Sequence, residues 1–432
     1  MKNYISFGFL LAITININAQ NNESFVQIES GDYNTASIMQ FGDSNYSEVS
    51  IEDANTNSVT VMQSVYSNSS EVDINTDSDF NSVFVTQSGS MNESDVFAQE
   101  QAISNSIHIS QRGMENNSIV SIGEQFDSRN FPEADLPNTN NSIRVTQRGN
   151  GNQSKIDIWN MLSRASDGQN RNSVNVFQKG MGNKVDGRIP GFSGLRIADN
   201  ANDNDIVVYQ RGNGNKFGGN LNYVGYNSDG NSFSTYQRGN NNDMYDLDFY
   251  DESSRNDVSF VQIGDNNRIN NDLTVGVEVK RSSDNSVSLV QRGNDNYYEI
   301  YLGNSDFNTN RSRQRGNLNE ISLKHSESDG NLARIIQVGD ENSDLTNFDR
   351  SNDNTIKTAQ RGNENSTETN LLLSDDNYIR TIQLGNNHES TVRTLNAHLN
   401  TITTLQMGLG HSSTIRLNTA SNNTITVMQS GL

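Results

Sequence analysis

Two histidines stand 23 residues apart, His388 and His411, each at a corner of a repeating unit where other units carry Asn. On neighbouring rungs of a coil such a pair could share a metal ion, but His108, His325 and His398 add no ligand spacing. Substitution for Asn is the expected reading, with no metal and no cofactor. Carboxylates would support polysaccharide cleavage if they converged, often with calcium or a basic residue. Here Asp and Glu scatter over outward positions, so no catalytic residue is assigned and the chain is not expected to be an enzyme. The pairs Gly31-Asp32, Gly42-Asp43, Gly264-Asp265 and Gly339-Asp340 are isolated, unlike the Gly-Gly-x-Gly-x-Asp arrays of calcium-binding coils. Outward threonine pairs that could order ice, Thr401 with Thr403 and Thr424 with Thr426, occur only in the last units. What remains is the chemistry of amides, which donate and accept at once and can bond to copies of themselves.

Seventeen glutamines share one setting, each with Asn six residues earlier. They begin with Gln27, Gln40, Gln63, Gln87, Gln111 and Gln147, the last four preceded by Asn57, Asn81, Asn105 and Asn141. Gln178, preceded by Asn172, Gln210, Gln237 and Gln262 continue the series. From Gln291 through Gln314, Gln337, Gln360, Gln383 and Gln406 to Gln429 every interval is 23 residues. A glycine usually follows two places after the glutamine, at Gly113, Gly149, Gly180, Gly212, Gly239 and Gly264, then at Gly293, Gly316, Gly339, Gly362, Gly385 and Gly408. An Asn usually stands three residues beyond that glycine.

The pattern names the elements that hold these amides. Asn172, Val174, Val176 and Gln178 alternate with Ser173, Asn175 and Phe177, the period of an extended strand. Gly180 permits a tight reversal, and after a similar reversal Asn152, Ser154, Ile156 and Ile158 again share one face. One such arch cannot bury its apolar stripe alone, so successive units must stack. The expected fold is all-β, a β-solenoid of cross-β character with two strands per rung of ~23 residues and about sixteen rungs. An inward amide left unpaired costs roughly 2–7 kcal/mol, and a column of identical amides about 4.8 Å apart supplies the partner.

Longer intervals imply extruded loops near 123–140, 159–170, 186–202 and 275–284, and all three prolines, Pro132, Pro137 and Pro190, fall in them. The residue after the glutamine is often basic, as at Arg112, Arg148, Lys179, Arg211, Arg238, Arg292, Arg315 and Arg361. This outward column is either a solvated face or a stripe for an acidic polysaccharide.

Residues 1–19 read as a signal peptide, with Lys2, an apolar run over 5–15 and Ala19 before a cut at Gln20. That leaves 20–432 as a single repeat domain. The chain of 432 residues has a net charge of −21, 32% hydrophobic residues and no cysteine. Low hydrophobicity with high charge favours disorder, but a strict repeat overrides it because amide columns replace part of an apolar core. The acidity argues against nucleic acid as a partner, since phosphate binding needs clustered Lys and Arg. No further segment suits membrane insertion.

The unit Asn-x5-Gln-x-Gly-x-x-Asn, as in Asn354 to Gln360 with Gly362 and Asn365, closely resembles the curlin repeat of curli, the extracellular amyloid fibres of bacterial biofilms. The resemblance runs from Asn21 to Leu432. It implies a secreted fibre subunit for adhesion and biofilm matrix, with itself and other curli-like subunits as partners. It also implies chaperone and secretion factors, and passage through the periplasm to the cell surface. The chain departs from curlin repeats in lacking a second glutamine eleven residues after the first. That place is aliphatic at Ile51, Ile74, Ile122, Ile158, Ile189, Leu221, Leu273, Leu302, Leu371 and Leu417. It also lacks a Gly-rich leader and carries more rungs than the familiar major subunit. The terminal units carry no evident polar or helical cap, so head-to-tail stacking is expected. The alternative is a non-polymerising surface solenoid, an adhesin or a binding module for carbohydrate, calcium or ice.

Overall fold

A computed structural model describes residues 21–99, 101–123, 138–159, 171–185, 195–198, 201–218, 222–225, 228–245, 247–250, 252–269, 277–301, 303–304, 306–324 and 326–431. The expected signal peptide and Pro132, Pro137 and Pro190 lie outside these residues. Every described element is a β-strand. No described helix is long and apolar enough to cross a membrane.

The chain falls into two compact units, 1–213 with 221–227 and 214–220 with 228–432. In the first unit seven first strands, from Thr35–Asp43 to Asp205–Arg211, pair in parallel and in order. In the second unit nine do so, from Ser232–Arg238 to Thr424–Ser430. The register places like on like: Gln147 lies beside Gln111 on one side and Gln178 on the other, with Gly149 between Gly113 and Gly180. The second strands build a parallel sheet of their own, as where Val49 and Ile51 of Tyr46–Glu52 meet Val72 and Ile74 of Ser69–Ile74. Each unit is therefore a β-solenoid, and the sequence period is the period of the stack.

Alternation decides what is buried. In Ser58–Tyr66 the residues Val59, Val61 and Gln63 point inward, while Ser58, Thr60 and Met62 do not. The inward apolar residues are small and branched, mostly Val and Ile, which suit a flat sheet interior. In the second unit the core also holds aromatic rings. Phe233 packs against Phe217 at 5.5 Å between centroids and edge-on to Phe260 at 6.0 Å. Phe260 in turn meets Tyr298 at 6.3 Å.

In two of the expected loops the second strand resumes within the insertion. Within 186–202, Leu195–Ala198 pairs with the second half of Gln153–Trp159, whose first half pairs with Lys184–Val185. Within 275–284, Val277–Lys280 pairs with Leu247–Tyr250, while Arg268–Ile269 pairs with Asp243–Met244. The insertion thus interrupts the second strand instead of following it. The strand resumes because its later half still has an apolar column to fill: Leu195 and Ile197 are buried over Ile156 and Ile158. The same interruption displaces the residue eleven after the glutamine. Ile158 is followed in its column by Ile197 and then Val224. Ile189, Leu221, Leu273 and Leu302 fall outside the described residues. At the other two loops, Gly123 and Trp159 pair with each other as strand ends, and Asn138–Thr139 pairs with Ala102–Ile103. Residues 124–137 and 160–170 lie outside the described residues.

Gln27 is a second correction. Its strand, Glu23–Glu29, joins the second strands with Gln27 beside Ser50, and its amide donates to Glu29 at 2.7 Å. Only 13 residues separate Gln27 from Gln40. That spacing fits half a rung, one strand and one corner, so Gln27 stands apart from the glutamine column.

Candidate functional site

Each glutamine of the column sits on the inner face of a first strand, directly over the next. In the first unit the Nε2 of Gln63 donates to Gln87 Oε1 at 2.8 Å, and Gln87 to Gln111, Gln111 to Gln147, Gln147 to Gln178 and Gln178 to Gln210, each at 2.9 Å. In the second unit the chain of donors runs from Gln237 through Gln262, Gln291, Gln314, Gln337, Gln360, Gln383 and Gln406 to Gln429, at 2.8–3.1 Å. The remaining donor capacity is spent on backbone carbonyls. Gln360 donates to Ser343 O at 2.9 Å and to Asn365 O at 3.0 Å. A buried amide is thereby satisfied without water, which is why it can stand in an otherwise apolar interior.

The asparagines six residues earlier form a ladder of opposite sense. Asn81 Nδ2 donates backwards to Asn57 Oδ1 at 3.2 Å, Asn105 to Asn81 at 3.1 Å, Asn141 to Asn105 at 3.0 Å and Asn172 to Asn141 at 3.1 Å. Each of these oxygens also accepts the backbone N–H of the next asparagine, as from Asn81 to Asn57 at 2.8 Å. The side chain thus fastens the corner at the start of the strand.

A third ladder was not singled out from the sequence. The asparagine five places after each glutamine does more than turn the chain. Asn68 Nδ2 donates to Asn45 Oδ1 at 2.9 Å and to Gly89 O at 3.0 Å, and Asn342 repeats this with Asn319 at 2.9 Å and Gly362 at 2.8 Å. Its signal was its fixed offset from the glutamine. His388 and His411 continue this column. Their rings stack 5.2 Å apart and nearly parallel, and His411 N–H meets His388 Nδ1 at 3.3 Å. Burial, with the neighbouring His411, lowers the His388 pKa. Stacked rings do not converge on a point, and no group of three or more His, Asp or Glu gathers around one among the described residues.

The glycines reverse the chain at φ between +112° and +132°, as at Gly113, Gly239, Gly264, Gly293, Gly339, Gly362, Gly385 and Gly408. One rung departs: after Gln63 the place is held by Val65, at φ 90° and more than half exposed. The basic column lies outside. Arg112, Arg148, Lys179 and Arg211 are exposed and stacked on four successive strands, whereas Arg238 and Arg292 are separated by Ile263, and Arg315 and Arg361 by Val338.

Several carboxylates are held away from their usual range. Burial pushes Asp157 up to about 7, against the pull of Arg196 and Lys155, and its Oδ1 has no hydrogen-bond partner. Burial, then Glu93 and Glu71, pushes Asp95 up to about 6. Burial also raises Glu71, Asp73 and the fully buried Asp344. Acids with raised pKa hold protons more tightly folded than unfolded, so stability grows as pH falls from about 7 towards about 4. His108 and His388, lowered by burial, act in the opposite sense below about 6.5. Five carboxylates outweigh two rings, and the thermal midpoint is expected to be a few degrees higher at about pH 5 than at about pH 8. Calorimetry at both values checks this, and Asp157→Asn should remove part of the difference. A midpoint that falls on acidification would show the wrong groups had been weighed.

Residues 31–64 match the family model described as Curlin associated repeat. No curated protein matches the chain. The matched segment holds Asn34, Gln40, Gly42, Asn45, Asn57 and Gln63, members of the three ladders and of the glycine column. Those ladders recur in rung after rung beyond the matched segment, which supports reading the chain as a curlin-repeat protein.

Proposed function

We propose that this chain is a secreted structural subunit of curli-like extracellular fibres, adding to copies of itself end to end and serving adhesion and the biofilm matrix. The observation that carries the reading is the register of the amide columns within each unit. The surface complementary to any rung is another rung of the same repeat, with the same amides and carbonyls at the same places. Backbone groups at an open strand edge invite such pairing. Partners would be the chain itself, other curlin-repeat subunits, and the chaperone and secretion factors that bring a fibre subunit through the periplasm to the cell surface. No catalysis, cofactor, nucleic acid or membrane insertion enters this reading.

Purified chain lacking residues 1–19 should form thioflavin-positive fibrils within days, with a reflection at about 4.8 Å along the fibril. Protein that stays monomeric at high concentration would overturn the reading in favour of a non-polymerising surface solenoid.

A further inference from the structure

Charge is distributed unevenly over the repeat. Between Lys2 and Arg112 there is no lysine or arginine, although the same stretch holds 14 Asp and Glu after residue 20. In the first unit eight of these acids line the outer face of four adjacent second strands, Glu23–Glu29, Tyr46–Glu52, Ser69–Ile74 and Glu93–Ala98. Glu48, Glu71 and Asp95 lie directly over one another. With Glu52, Asp73 and Glu93 beside them and no cation on the face, crowding adds to burial in holding Asp95 protonated up to about 6.

The second unit carries the opposite face. Across five first strands, from Ser286–Arg292 to Tyr378–Asn386, the outward positions hold eight cations and no carboxylate. Arg311, Arg334, Lys357 and Arg380 form one unbroken column. Arg313 and Arg315 extend it sideways on their strand. None of these cations has an ion-pair partner among the described residues. Elsewhere in this unit exposed arginines do find carboxylates: Arg255 meets Asp284 at 2.6 Å and Arg393 meets Glu368 at 2.9 Å.

We propose that the acidic sheet face of the first unit in one copy docks on the basic sheet face of the second unit in another, joining copies side by side. Both faces are parallel in-register sheet, both carry charge in columns, and both columns repeat at the strand spacing of about 4.8 Å, so charges that meet at one rung also meet at the next. A nucleic-acid duplex, with one charge per about 3.4 Å along each strand, lacks this match. The contact is distinct from end-to-end growth and does not require it.

The test uses the chain lacking residues 1–19, one copy biotin-tagged, in three forms. They are wild type, a basic-face variant (Arg311→Glu, Arg334→Glu, Lys357→Glu, Arg380→Glu) and an acidic-face variant (Glu48→Lys, Glu71→Lys, Asp95→Lys). Retention of untagged by tagged protein in fresh samples, before any thioflavin signal appears, reads pairing, thioflavin and fibril length read growth, and circular dichroism reads the fold. Wild type should pair, and lose the pairing at about 1 M salt, where the screening length is about 3 Å. Each variant should pair at least about tenfold more weakly with itself, and the two mixed should pair again, because their reversed faces are complementary. Thioflavin growth should be unchanged, so a failure to form fibrils would not touch this result. Self-pairing of either variant at the wild-type level would overturn the proposal, as would folded variants that fail to pair when mixed. Wild type that pairs only when a polyuronate is added would overturn it too, and would assign the basic face to that polymer.

Discussion

Gly316→Ala is expected to destabilise the stack by about 2–4 kcal/mol, while Gly151→Ala costs no more than about 1 kcal/mol. Both residues have positive φ, but in different places and surroundings. Gly316 sits at φ 125°, and a Cβ there would run into the carbonyl oxygen of Gly339 on the next rung, with Asp340 Oδ1 at 2.9 Å. Gly151 sits at φ 62° with nothing within 4 Å of the added carbon. The equivalent of Gly151 one rung earlier is Glu115, at φ 54°, so side chains are accepted there. Val65 shows how the tighter position yields: its φ of 90° is displaced from its glycine neighbours, and its side chain turns out to solvent. Val65→Gly should therefore stabilise, by about 1–2 kcal/mol. Denaturant titration gives the sign and size of all three, and hydrogen exchange should place the loss at the altered rung. Equal costs for Gly316→Ala and Gly151→Ala would mean that close approach of the rungs is not what selects glycine.

The second large effect concerns the glutamine ladder. Gln337 is fully buried, accepts from Gln314 at 3.1 Å, and donates to Gln360 and to Glu320 O, both at 2.9 Å. Gln337→Leu keeps the volume close but leaves the Gln314 donor and the Gln360 and Glu320 acceptors without their partner. An orphaned buried polar group costs about 1–3 kcal/mol, so the loss should reach about 3–6 kcal/mol. Removing a neighbour as well should cost far less than the sum. In Gln314→Leu with Gln337→Leu the bond between the two vanishes from both sides at once, and a coupling of about 1–3 kcal/mol is expected. A double-mutant cycle in denaturant measures it. Strict additivity would sink the ladder as an energetic unit and leave each glutamine as an independent backbone brace.

The fold was legible because its period is written residue by residue: a two-residue alternation fixed the strands, and the 23-residue interval fixed which strand lies over which. What was missed followed from treating offsets as rigid. Counting eleven from Gln178 gives Ile189, but an insertion splits the second strand and Ile197 fills the column, because the stack aligns side chains by what they bury. Gln27 shows the converse, a matching local motif in half a rung. The corner asparagines looked like turn formers, since one sequence cannot tell an Asn that merely tolerates a bend from one whose amide reaches the rung before it. The burial of Asp157 and the segregation of the two charged faces depend on neighbours a whole rung away.

The glutamine ladder has a sense within each unit: every interior amide gives its hydrogen forward and takes one from behind. Turning a single amide around would set oxygen against oxygen on one side and hydrogen against hydrogen on the other, two faults for one rotation. Inversion is therefore open only to the column as a whole. Whichever pair of glutamines bonds first sets the orientation that each later rung must copy, so the sense chosen at that first bond stays recorded in the interior.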